Sequence, residues 1–272
     1  MCIRDRDSPL DSSTATSVNI AIAKAAAELG TFAIIEGGDY SSDLAAYRSH
    51  IIPRMEMREI DGFRPLLKAS RIVEIDVDSD DATTCLGTIK EKNPTILVSI
   101  RLSYDDNTAE RALAYAKAGT DIIHLSIDDS VIQQDPDIAR DAIYSVHSTL
   151  VDANIRDCTT LVFSGGAAEA AHISKSLILG ADAVSLGMAY QIALGCKVCY
   201  GKRHASDCRI WVNDEDADLA AQRIVNLVGS WRDQLLEVLG GMGLREARRQ
   251  RGEVGRAIFY ESLEMSIFGG RP

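Results

Sequence analysis

The chain contains no apolar run approaching the roughly 18–20 residues that a membrane-spanning helix requires, so no membrane role is expected. Its opening residues, Met1-Cys2-Ile3-Arg4-Asp5-Arg6-Asp7, lack the apolar core of a secretory signal and read as an atypical or truncated start. Basic charge is in deficit. With 29 Lys and Arg against 40 Asp and Glu the formal charge is −11, which argues against a sequence-independent nucleic-acid binder, since that needs a basic face. A local basic pocket for a small anion is still compatible with that total. Cysteine is sparse: six in 272 residues do not make a secreted disulfide scaffold, and a cytoplasmic location is expected. Three of the six, Cys196, Cys199 and Cys208, lie close together, which in an intracellular enzyme points to metal more than to disulfides. The G-x-G-x-x-G signature of a nicotinamide site is also missing.

What is present is an alternation of short β-branched runs with Ala-rich amphipathic stretches, the mark of a parallel sheet with crossover helices. Strands are expected over residues 31–35, 50–55, 72–77, 96–102, 121–127, 160–163 and 183–186, although Pro53 weakens the second. Helices are expected near 18–29, 42–49, 61–69, 80–90, 108–117, 137–153 and 168–179. With a first strand cut short near Ser8–Asp11, the count favours a (β/α)8 TIM barrel over an open doubly wound sheet. The organisation reads as an atypical start (1–11), the barrel (12–195), a cysteine-containing loop and linker (196–218) and a C-terminal helical extension (219–272). In the extension, Ile224, Leu227, Val228, Trp231, Leu235 and Val238 make one apolar stripe suited to packing on the barrel. The basic run Arg245–Arg251 reads as a solvated helix face.

The strongest chemical signal is a pair of strand ends, Ser164-Gly165-Gly166 and Leu186-Gly187-Met188. After the seventh and eighth strands of a barrel, adjacent turns present bare backbone N–H groups to an anion, and glycine lets a phosphate reach them. Either turn alone is ordinary punctuation; together they favour phosphate binding.

Three segments make this specific: Phe163-Ser164-Gly165-Gly166, Leu179-Gly180-Ala181-Asp182-Ala183-Val184-Ser185-Leu186-Gly187-Met188-Ala189 and Ile192-Ala193-Leu194-Gly195-Cys196. This sequence resembles the FMN-binding synthase domain of glutamate synthase large subunits, above all the archaeal-type short forms. The Ala-Leu-Gly-Cys ending separates it from the barrels of IMP dehydrogenase type. The resemblance implies that Ser164, Gly165, Gly166, Gly187 and Met188 grip the FMN phosphate. It places Arg101 where the family has a strand lysine near the flavin ring, Ser12 and Ser13 near a strand end that meets the flavin, and Glu36 where it orients substrate or pairs with Arg101. Bound flavin would carry the redox chemistry, reducing the imine of 2-oxoglutarate and ammonia with electrons from a partner subunit, glutaminase-type or electron-donating. Homo-oligomer formation is left open.

The cysteine segment departs from the family pattern, with Arg203-His204 where the family has Cys-His. The three remaining thiols would suffice for a 3Fe–4S cluster, while zinc on the three cysteines and His204 is the other metal reading. Two glycine-rich loops of the family are also missing. Ile75-Asp76-Val77-Asp78-Ser79 and Ser126-Ile127-Asp128-Asp129-Ser130 stand in their place, and their acids would repel a dicarboxylate. The rival reading is therefore a catalytically degenerate flavin- or metal-binding paralogue acting as a subunit or scaffold. Asp76 and Asp78 read as solvated loop acids, and His124 as a packed core histidine.

Overall fold

The computed structural model describes residues 2–4, 12–77, 82–135, 137–196 and 216–253. Eight parallel strands close on themselves in sequence order. They are β1 (Cys2–Arg4), β2 (Phe32–Glu36), β3 (Ile51–Glu56), β4 (Ile72–Asp76), β5 (Leu97–Ser103), β6 (Ile122–Ser126), β7 (Thr160–Ser164) and β8 (Ala183–Leu186). β1 pairs with both β2 and β8, which completes the ring. The first strand therefore lies at Cys2–Arg4 and not near Ser8–Asp11. It is short, three residues, and the expected 8–11 segment falls outside the described residues.

Helices alternate with the strands: α1 (Ser12–Leu29), α2 (Arg64–Ala69), α3 (Ala82–Lys92), α4 (Thr108–Lys117), α5 (Asp129–Gln134), α6 (Asp137–Asp152), α7 (Ala170–Ile178), α8 (Met188–Ala193) and α9 (Ala217–Gly241). Between β2 and β3 a nine-residue 3-10 segment, Ser42–His50, replaces the expected helix. α1 starts earlier than the apolar periodicity implied, at Ser12. It stops at Gly30, whose φ of +65° allows the Thr31 amide to donate to Ala26 O at 2.9 Å. Ser12 and Ser13 thus open a helix and do not end a strand.

The strands carry two different faces. Ile35, Val73, Ile75, Val98, Ile100, Leu102, Ile123 and Leu125 belong to the large apolar core shared with the surrounding helices. The alternate positions Ile34, Ile52 and Ile72, with Phe32 and Ile122, form a separate apolar cluster. A period of two sends these to the inside of the ring, where they fill its amino-terminal end. Further along the same faces the side chains become polar.

α9 runs along α1 and touches α7 and α8. Ile224, Val228 and Trp231 are buried as the stripe implied, and each such side chain contributes about 1.5–3 kcal/mol. Val238 is exposed and Leu239 is buried in its place, because a 25-residue helix at 3.6 residues per turn drifts away from a strict heptad. The basic run is only partly a solvated face: a short 3-10 turn, Ala247–Gln250, buries Gln250, and Arg251 is pinned to the barrel. Arg251 donates to Asp182 at 2.9 Å and also binds Asp157, while Gly252 N donates to Ile178 O at 3.1 Å.

Asp182 also binds the buried Arg156 at 2.8 Å, and Arg156 donates to Thr159 O, Gly180 O and Nδ1 of His147. Burial lowers the His147 pKa from its ordinary 6.5, and the Arg156 and Arg251 charges lower it further. The unfolded chain therefore binds this proton at a higher pH than the folded one. The contribution is fully present above about pH 6.5 and is lost as the pH falls through the lowered folded value. Thermal melts between pH 7.5 and 5 should show a falling midpoint, with a shallower fall in His147→Gln, whose carbonyl can still accept from Arg156. An unchanged slope in the variant would assign the acid sensitivity elsewhere.

Candidate active site

The polar inner positions meet at the carboxyl ends of β2 to β6. Register pairs Glu36 with Arg54, Asp76 with Arg101, and Arg101 with His124. Arg54 binds Glu36 through one guanidinium nitrogen, and its Nε lies 3.2 Å from Asp76 Oδ2. Arg101 donates to Asp76 Oδ1 at 3.1 Å and to Ser126 Oγ at 3.0 Å. The result is an alternating chain, Glu36–Arg54–Asp76–Arg101–Ser126, with one member on each of five consecutive strands. Its arginines are nearly enclosed, with side chains 10% and 13% exposed, while Glu36 at 35% and Asp76 at 28% border solvent.

One layer deeper, His124 Nδ1 lies 2.6 Å from Glu74 Oε2, and Ser99 Oγ donates to the same oxygen at 3.3 Å. His124 and Glu74 are 0% and 2% exposed. Among the described residues, the buried polar atoms of this interior without a hydrogen-bond partner include His124 Nε2 and Ser185 Oγ. A polar atom left so costs about 1–3 kcal/mol, which suits a place where a bound group completes the set.

On the other side of the opening, register pairs Ser126 with Ser164 and Ser164 with Ser185. Gly166 and Gly187 each lie two residues beyond a paired serine, so the two glycine turns are neighbours. Their surroundings differ. An added Cβ at Gly165 would lie 2.6 Å from Ile127 O and 2.8 Å from Ile132 Cδ1, and at Gly166 it would lie 2.9 Å from Ile132 Cγ2. Ile132 belongs to α5, so the β6 side of the β7 turn is walled by that helix. At Gly187 an added Cβ would meet nothing within 4 Å. The β8 side is open.

Several expectations change here. Asp76 is no solvated loop acid; it ends β4 and receives both arginines, because its alternation with Glu74 points it inward. Glu36 pairs with Arg54, its register neighbour. His124 is buried as expected, but in the polar interior of the ring. Arg54 and Glu74 were not anticipated, nor was α5. Cys196 follows α8 as a half-buried residue packed on the core, while Asp78, Cys199, His204 and Cys208 lie outside the described residues. Among the described residues there is no group of three or more His, Cys, Asp or Glu that could hold a metal, and no helix is long and apolar enough to cross a membrane.

A closed ring of eight parallel strands, with its polar groups gathered at the strand carboxyl ends, defines an α/β-barrel protein whose candidate site is the mouth of the ring. Solved structures agree on the fold. The flavin-binding domain of baker's yeast flavocytochrome b2 aligns with a TM-score of 0.63 at 11% identity, over 100% of this chain and 74% of that one. A mandelate oxidase aligns with a TM-score of 0.58 at 14% identity, over 94% and 77%.

The family follows from sequence. Residues 56–245 match the conserved region in glutamate synthase, and the chain belongs to that family. The archaeal glutamate synthase [NADPH] of Archaeoglobus fulgidus is 31% identical over 190 residues, covering 63% of this chain and 37% of that protein. The glutamate synthase [NADPH] large chain of Azospirillum brasilense is 25% identical over 180 residues, covering 61% and 12%. The chain thus spans less than two-fifths of the length of these curated relatives.

Proposed function

We propose that this chain is the flavin-binding barrel of a glutamate synthase-like oxidoreductase, with FMN phosphate held between the β7 and β8 turns. The observation that carries this reading is the serine register across β6, β7 and β8. It sets the Gly166 turn beside the Gly187 turn, with Ile132 against the first and no atom within 4 Å of an added Cβ at Gly187. Ser185 Oγ, buried and unpartnered just below, is a hydroxyl that a bound group can satisfy. The residues therefore fit a phosphate monoester with a flat ring extending over the mouth. Ser164, Gly165, Gly166, Gly187 and Met188 would hold the phosphate, and Arg101 and Glu36 would face the ring and the acceptor.

Bound flavin supplies two-electron hydride chemistry at this position. The chain's own residues set the stage for it. Arg101 is fixed by Asp76 and Ser126, so its charge is placed before any ligand arrives and costs little reorganisation. Its guanidinium keeps the cation of the family's lysine but presents a planar fork. Glu36, the more exposed acid, would accept a hydrogen bond from the substrate's amino or imine group. The favoured reaction is reductive amination of 2-oxoglutarate or a related acceptor, with electrons from a partner. Cys196, Cys199 and Cys208 are the thiols through which a three-thiolate iron–sulfur cluster would pass them in.

One observation favours a second reading. Both mouth arginines are already bonded to carboxylates, so a dicarboxylate would have to compete with Asp76 and Glu36 for them. A paralogue that keeps flavin but has lost glutamate formation would look like this. The deciding experiment loads the purified protein with FMN and supplies 2-oxoglutarate, ammonia and reduced viologen. Glutamate formed in proportion to viologen oxidised supports the first reading; yellow protein without glutamate supports the second. Protein that takes up no flavin contradicts both.

A further inference from the structure

Among the described residues the mouth carries Glu36, Arg54, Asp76 and Arg101 on successive strands, and Asp76 is ion-paired with both arginines. Its Oδ1 accepts from Arg101 at 3.1 Å and its Oδ2 faces Arg54 Nε at 3.2 Å. Glu36 is ion-paired with Arg54 and stands on β2, three strands from Arg101. The positive charge of Arg101 is thus half-neutralised at its source, inside an enclosure where charges interact far more strongly than in water.

We infer that Asp76 sets the reduction potential of the flavin at this mouth by holding the charge of Arg101 in check. This rests on the flavin reading given above. Reduction adds two electrons and one proton to the ring and leaves it negatively charged at neutral pH. Positive charge nearby therefore stabilises the reduced form, and a carboxylate nearby opposes it. Asp76 is a tuning residue that acts through Arg101; Arg54 shares its charge and so determines how much of it Arg101 feels.

The signs of three substitutions follow. Asp76→Asn keeps the size and one hydrogen-bond acceptor but removes the negative charge beside Arg101. The ratio of reduced to oxidised flavin at a given potential should rise at least tenfold, a midpoint about 30 mV higher for a two-electron couple. Glu36→Gln removes an equal charge three strands away and should raise the midpoint by less. Arg54→Gln leaves the whole charge of Asp76 to Arg101 and should lower the midpoint.

The test is a potentiometric titration of the FMN-loaded protein with dithionite as electron donor and a reference dye in equilibrium, followed by flavin absorbance. Midpoints in the order Arg54→Gln, native, Glu36→Gln, Asp76→Asn, from low to high, support the proposal. Flavin-loaded Asp76→Asn at the native midpoint or below overturns it. If Asp76→Asn does not fold, Arg54→Gln decides: a midpoint at or above the native value overturns the proposal. Native protein that binds no FMN is a different outcome, which removes the flavin reading and this inference with it.

Discussion

Gly165→Ala should cost the fold about 3 kcal/mol, combining backbone strain and overpacking of about 1–3 kcal/mol each. The residue has φ of +137°, a conformation that L side chains rarely adopt. The methyl group would also lie 2.6 Å from a backbone oxygen, that of Ile127, which cannot swing aside as a flexible side chain can. Ile127 is held there because its own amide donates to Ser164 O at 2.9 Å, extending the β6–β7 ladder one residue past the strands. The mutation therefore pushes on the ladder itself. Urea unfolding of the two proteins measures the difference; a loss below about 0.5 kcal/mol, the range of a neutral surface change, would show that the turn relaxes freely. Gly187→Ala is the control, since the added methyl group meets open space and the φ of −101° suits any residue.

The second large effect is expected at the buried Glu74–His124 pair. Glu74→Ala leaves an imidazole enclosed without the carboxylate beside it, and His124→Ala leaves a carboxyl group enclosed without its imidazole. Removing one partner of a buried pair costs about 3–5 kcal/mol, most of it the penalty on the survivor. The double substitution Glu74→Leu with His124→Leu replaces both by apolar groups beside the Ile34, Ile52 and Ile72 cluster. It should cost clearly less than the sum of the single changes. A double-mutant cycle by denaturant unfolding reads this directly. Strict additivity would mean that the two side chains do not depend on each other, despite a 2.6 Å contact.

These two sites also show what a single sequence reveals and what it hides. The barrel was legible because short β-branched runs alternate with Ala-rich stretches, and the runs ending at Glu36, Ser164 and Leu186 are each closed by a glycine. The phosphate turns were legible for the same reason. The ion network was not, because a charged residue inside a short strand looks the same as a loop residue next to it. Asp76 therefore looks like Asp78, a solvated acid, and Arg54 sits beside Pro53, which weakens the strand signal. A signal was present. Glu74-x-Asp76, Ser99-x-Arg101 and His124-x-Ser126 repeat a polar pair at spacing two in three successive strands, each interleaved with Ile or Leu. Spacing two within an otherwise apolar strand places both polar groups on one face, and in a closed ring that face is the interior. α5 had no comparable signal, since six residues are too few for a helical period to register.

The glycine turns carry two separate meanings that the sequence alone merges. Gly165 and Gly166 are needed by the fold, since Ile132 and Ile127 fill the space where side chains would go. Gly187 is not needed by the fold, and its open face is where a ligand would enter. Structural need and ligand access can thus be separated by experiment within one site.

A fluorescence titration of FMN against native protein and Gly187→Val therefore bears most directly on the phosphate site, with thermal melting of both proteins alongside. Quenching with a dissociation constant of about 1 μM or tighter is expected for the native protein, roughly −8 kcal/mol of binding, and a hundredfold weakening is expected in the variant at an unchanged melting temperature. Equal binding by the two proteins, or none by the native one, would contradict a phosphate seated between β7 and β8.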